Sequence, residues 1–164
     1  MAAWQFDAHL LPEVAIQRPD GSLPIAIARA DINAGDWWKG TKLPADFAER
    51  LSSVLPQGSS WSSSLQTWGQ EDGDRVDLVW EDDELADIFL RVDVRRVSYD
   101  RLDKVLRLAR AYRWVLWTGG QILRPSLGQL LRAIQRSDAF RFVQDPEGFL
   151  LALGRTVERD APDL

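Results

Sequence analysis

The chain has 164 residues, 45% of them hydrophobic and 27% charged, which suits one soluble globular domain with a substantial core. It contains no cysteine, so disulfide scaffolds, thiol nucleophiles and thiolate metal centres are excluded. The formal net charge of −5 argues against non-specific nucleic-acid binding, which needs a dominant positive field.

No apolar run approaches the roughly 18 residues of a membrane span. The opening MAAWQFDAHLLPE lacks the basic start and uninterrupted apolar stretch of a signal peptide. A cytoplasmic protein without a membrane partner is the expectation. Charge is uneven: residues 71–96 hold ten acidic side chains against four basic ones, and residues 97–141 hold nine basic against three acidic. An acidic sheet followed by a helix with a basic solvated face accounts for this reversal.

In chain order, residues 4–11 alternate, with Trp4, Phe6, Ala8 and Leu10 on one side and Gln5, Asp7 and His9 on the other. That period of two predicts a half-buried strand with His9 facing solvent. Val14–Ile16, the turn Pro19-Asp20-Gly21 and Leu23–Ala28 suggest a hairpin, Pro24 placing its returning strand at an edge. DINAGDWWKGTK (31–42) reads as a loop. Adjacent Trp37 and Trp38 cannot share one face of a strand, so one is expected to be exposed or folded under the loop. Residues 43–56 predict a helix with Phe47, Leu51, Val54 and Leu55 inward, Pro44 in its first turn and Pro56 as its stop.

Residues 63–96 predict a three-stranded meander. Asp72-Gly73 is a two-residue hairpin signal. Pairing Glu71 with Asp74 would set Leu65, Thr67 and Gly69 on the side of Val76, Leu78 and Trp80, and Trp68 opposite Asp77. The strand after the second turn alternates Ala86, Ile88, Leu90, Val92 and Val94 against Asp87, Phe89, Arg91, Asp93 and Arg95. Two registers keep its faces matched. One opposes Arg75 to Arg91. The other, with Asp83-Glu84-Leu85 as its loop, opposes Asp77 to Arg91 and Arg75 to Asp93. Cross-strand charge pairs are worth about 0.2–1 kcal/mol each, which favours the second.

Ser98 caps a predicted helix to about Tyr112, with Leu102, Val105, Leu106 and Ala109 inward. WVLWTGGQILRP reads as a strand, a Gly119-Gly120 turn and a second extended piece. Ser126 caps a further helix, Ser137 or Asp138 opens another turn with Phe140, and Asp145-Pro146-Glu147 starts a last helix that Gly154 should end, leaving 155–164 as a frayed tail. The expected architecture is a single α+β domain over 1–164, mostly antiparallel sheet with helices packed on it.

Nine of the seventeen residues in 71–87 are acidic, yet the run is no EF-hand loop. Gly73 at the obligatory glycine puts Trp68 and Val79 where the first and last ligands belong. His9 is the only histidine, too few for a cysteine-free zinc site. Neither a nucleophile elbow nor a phosphate-binding glycine loop is present, so no cofactor, metal or catalytic residue is assigned. Asp77 and Asp93 are the candidates on one face for paired-carboxylate hydrolysis. Trp68, Val79 and Phe89, ringed by Arg75, Asp77, Arg91 and Asp93, are either covered by a helix or form an apolar centre with a charged rim, the anatomy of a protein interface.

The combination of W-G-x-E-D-G-x-x-V-D (68–77), R-x-D-x-R (91–95) and S-D-A-F-x-F-V-x-D-P-x-x-F-L (137–150) resembles small bacterial α+β proteins of the toxin-immunity type. The resemblance implies a cytoplasmic protein that blocks one cognate toxin and transfers no site residues. The leading expectation is a non-enzymatic module binding a protein partner, such as a cationic toxin, through Trp68, Asp72, Asp74, Asp82, Asp83, Glu84, Phe89 and Arg91. The alternatives are a small hydrolase using Asp77, Asp93 or a nearby carboxylate, and a structural or regulatory subunit self-associating through the Trp37–Trp38 loop. The oligomeric state is left open.

Overall fold

Six antiparallel strands form one twisted sheet, and the computed structural model describes residues 2–160 of the chain. The strands are β1 (Gln5–Pro12), β2 (Leu65–Gly69), β3 (Arg75–Glu81), β4 (Glu84–Asp93), β5 (Trp114–Thr118) and β6 (Gln121–Leu123), in the order β2-β3-β4-β1-β5-β6. Seven helices connect or cover them: α1 (Glu13–Ile16), α2 (Arg29–Ala34), α3 (Phe47–Ser52), α4 (Tyr99–Ala111), α5 (Leu127–Gln135), α6 (Asp138–Gln144) and α7 (Pro146–Asp160). The α+β expectation holds.

The inner face of the sheet buries Phe6, Ala8, Leu10, Val76, Leu78, Ile88, Leu90, Val92 and Leu116 beneath α3, α4, α5 and α6. Period-two apolar positions in the strands meet the period-3.6 stripes of these helices, so one core serves both. Leu102, Val105, Leu106 and Ala109 of α4 are buried as its spacing requires. Ser98, Ser126 and Ser137 each accept an N-terminal amide of the helix they open.

Strands β1 and β5 also bury their outer side. Leu11, Val115 and Trp117 form a second cluster with Ile16 and Ile32, covered by Leu23 and Ile27. The expected hairpin over 14–28 is therefore not formed. Residues 13–16 make one helical turn, and the chain is extended afterwards without pairing to itself beyond the tight turn at Pro19–Gly21. Its returning arm lies on the β6 edge, where Ile27 N donates to Gly120 O and Ile122 N to Ile25 O. At the other edge, Gly58 N donates to Thr67 O and Gly69 N to Pro56 O. Irregular segments thus satisfy both outer strands, a common protection against edge-to-edge pairing.

The adjacent tryptophans divide between the two clusters. Trp38 is buried in the helix-side core, edge-on to Trp114 at 5.0 Å, its indole N–H donating to Leu10 O. Trp37 is half-buried and donates to Ile32 O. Trp38 is thus the one folded under the loop. Residues 31–34, expected to begin that loop, belong to α2 instead, and the helix expected over 43–56 contracts to Phe47–Ser52. At the C-terminus α7 continues through Gly154 to Asp160; residues 161–164 of the expected tail lie outside the described residues.

The meander is present, but both of its registers differ from expectation. Gly69 pairs with Arg75 and Trp68 with Val76, a shift of one residue that turns Trp68 into the core and Leu65 outward. Gly69 is responsible: its φ is +106°, and a Cβ there would lie 2.1 Å from Asp74 O. The chain from Gln70 to Asp74 then turns over Gln70 O, which accepts from Gly73 N.

Between β3 and β4, Arg75 does face Arg91, with Asp77 opposite Phe89 and Val79 opposite Asp87. The tip is a two-residue turn at Asp82 (φ 49°) and Asp83 (φ 62°), the left-handed pair of a type I′ hairpin. A bulge beside Val79 and Trp80 takes up Ala86, which allows Leu85 and Ile88 both to face the core. The opposed arginines find separate carboxylates: Arg75 binds Asp77 at 2.9 Å on its own strand, and Arg91 binds Asp7 of β1 at 3.1 Å. Burial of Leu85 and a favourable hairpin turn outweigh charge pairs that the protein makes elsewhere.

Candidate functional site

Antiparallel register stacks the outer face of the sheet into rungs. One rung runs Trp117, His9, Phe89, Asp77 and Thr67 across β5, β1, β4, β3 and β2. Trp117 belongs to the covered half. Beyond it, the His9 ring lies 4.5 Å from Phe89 and 5.2 Å from Trp117, an aromatic row across three strands. His9 Nδ1 is 2.9 Å from Asp87 Oδ2, and Asp87 Oδ1 accepts the amide of Ile88, so the carboxylate fixes the imidazole's orientation.

His9 and Phe89 of this row floor a groove of about 520 Å³ between the Ile32–Lys39 segment and the β3–β4 hairpin. Val79, Ala86, Phe89 and Trp37, all half-buried, supply apolar surface. Its charged groups are Asp36, Glu81, Asp82, Glu84 and Asp87 against one cation, Lys39. The volume falls in the range of ligand-binding clefts, and the charge of the rim is nearly uniform.

The residues singled out in the sequence scatter. Phe89 and the neighbours Asp82 and Glu84 line the groove, with Asp83 beside them at the exposed hairpin tip. Arg91 is on the same outer face, one rung away and bound to Asp7. Trp68 is on the opposite face, 1% exposed, donating to Ser52 Oγ at 2.9 Å. It contributes to the core and to no surface. Asp72 and Asp74 sit at the other end of β3, whose seven residues span about 23 Å, so the two acidic turns do not form one patch.

Asp74 is structural. Only 2% of its side chain is exposed; it accepts Asp93 N at 3.0 Å and Arg101 Nη1 at 3.1 Å, tying the β2–β3 turn to β4 and α4. Arg95 closes the same end by gripping both oxygens of Asp93 and lying 4.3 Å over the Trp4 ring. The hydrogen bonds from Arg95 hold the Asp93 carboxyl below its usual range, against the opposing pull of burial. Asp77 and Asp93 are not a catalytic couple. Asp93 lies four positions along β4 from Phe89, the partner of Asp77, or about 13 Å away, beyond either glycosidase spacing. Both are ion-paired, Asp77 with Arg75 and Asp93 with Arg95, and not with the arginines expected from the alternative register.

His9, expected as an ordinary solvent-side residue, is half-buried and paired with Asp87. Its partnership with Asp87 depends on the β1–β4 pairing, strands nearly eighty residues apart, which no local pattern encodes. The one local signal was shared outward alternation. Among the described residues no group of three or more histidine and acidic side chains is placed to hold a metal ion, and no helix is long and apolar enough to cross a membrane. No protein-family model matches the chain, and neither a curated protein nor a solved structure is significantly similar to it.

Proposed function

We propose that this protein is a non-enzymatic binding module that receives a basic segment of a protein partner in the groove over His9 and Phe89. The observation that carries the reading is the pairing of a half-buried apolar floor with a rim of carboxylates. Desolvated aromatic and aliphatic contacts at the centre supply affinity, while the acidic rim speeds encounter with a cation and rejects acidic competitors. Blocking a cationic toxin, as an immunity protein does, is the particular role this chemistry favours. The hydrolase alternative finds less support, because Asp77 and Asp93 are far apart and each is neutralised by an arginine.

The test is affinity capture from the producing organism with the wild-type chain and with a Glu81→Lys, Asp82→Lys, Glu84→Lys variant. A basic protein retained by the first and lost by the second is expected. No partner, or one indifferent to the reversal, refutes the reading. A Phe89→Ala variant separates the apolar floor from the charged rim: it should speed dissociation while leaving the salt dependence of association intact.

A further inference from the structure

Helix α7 packs against α6, its Phe149 ring edge-on to Phe142 at 5.9 Å. On the side away from Phe149, Leu150 is 58% and Leu151 63% exposed. Isolated exposed leucines need no explanation, but Leu150 and Leu151 adjoin on this side, about 100° apart around the helix. Beside them runs an i, i+4, i+8 row of Glu147, Leu151 and Arg155, about 12 Å long. Glu147 and Arg155 are exposed and have no ion-pair partner among the described residues. Eight positions apart on one helix, they are too distant to pair with each other.

We propose that α7 docks against α7 of a second copy of this chain, antiparallel, with its two-fold axis at Leu151. Rows of i±4 side chains pack into one another in the commonest class of helix crossing. Antiparallel superposition sets Leu151 against Leu151 and brings each Glu147 to Arg155 of the other copy. A parallel pair would oppose like charges. An isologous contact of this kind is self-complementary and closes at two subunits. The dimer is independent of the groove, which opens on the other face of the sheet, so either can fail without the other.

One helix face per copy is a small interface, which sets the dissociation constant on the order of 10–100 µM. Sedimentation equilibrium of the full chain across that range should show a monomer–dimer equilibrium that weakens with salt. Leu151→Asp should abolish it, with circular dichroism confirming that the exposed substitution leaves the fold intact. Glu147→Arg and Arg155→Glu should each weaken it roughly tenfold, since two pairs become repulsive at once, and the double variant should restore it. A monomer at every concentration overturns the proposal, as does a dimer that ignores Leu151→Asp. Failure of the double variant to recover overturns the antiparallel arrangement. Binding of a monomeric chain to lipid vesicles through the same leucines would assign the face to a membrane and overturn it too.

Discussion

Replacing Trp68 by alanine tests the register of the meander directly. In the structure Trp68 is 1% exposed, opposite Val76, and edge-on to Phe47 at 6.1 Å. An indole of about 200 Å² at about 25 cal/mol per Å² gives an upper bound near 5 kcal/mol, reduced because the unfolded chain already hides part of that area. Ser52, which accepts the indole N–H, is exposed, so its hydroxyl turns to water and adds little. The expected loss is about 3–5 kcal/mol, read from urea unfolding followed by far-UV circular dichroism. Leu65→Ala, on the outward side of the same strand, should cost about 1 kcal/mol or less. Trp68→Phe supplies a milder variant near 1–2 kcal/mol should the alanine protein not fold. If Trp68→Ala costs no more than Leu65→Ala, Trp68 does not face the core and the register is wrong.

Asp77→Asn, which leaves Arg75 without its counter-charge beside Arg91, should destabilise by about 2–4 kcal/mol, whereas Asp100→Asn in an exposed α4 pair should cost under about 0.5 kcal/mol. Equal effects in denaturant titrations would contradict the burial assigned to the first pair. Asp83→Gly, at φ 62°, relieves a left-handed side chain and should add about 0.5 kcal/mol; a loss of stability would argue against the type I′ turn. The carboxyl of Asp93 is held below its usual value of 3.8 in the folded state, mainly by hydrogen bonds from Arg95. A depressed folded value contributes stability that is present at higher pH and fades as pH falls below about 3.8 toward the folded value. Arg95→Met should therefore lower the urea midpoint at pH 7 and flatten its fall below pH 4; an unchanged acid limb would remove Arg95 as the cause.

Local sequence determined the elements whose signals are self-contained. The period-two strands, the Ser98 and Ser126 caps, the Gly119-Gly120 turn and the amphipathic α4 all follow from short-range sterics and hydrogen bonding, which a neighbour or two suffices to satisfy. Charge complementarity chose the wrong register for β3 and β4 because it compared only the two strands in view. Asp7, eighty-four positions from Arg91, removed the penalty on the Arg75–Arg91 opposition. The same limit hid the groove. Its floor joins β1 to β4 and its wall comes from the segment after α2, so its aromatic row, its His9–Asp87 pair and its acidic rim exist only once distant strands are neighbours. Residue types and their alternation were legible in the chain. Which carboxylates stand together was decided by the sheet order β2-β3-β4-β1-β5-β6, because pairing between remote strands is selected by burial summed over the whole core.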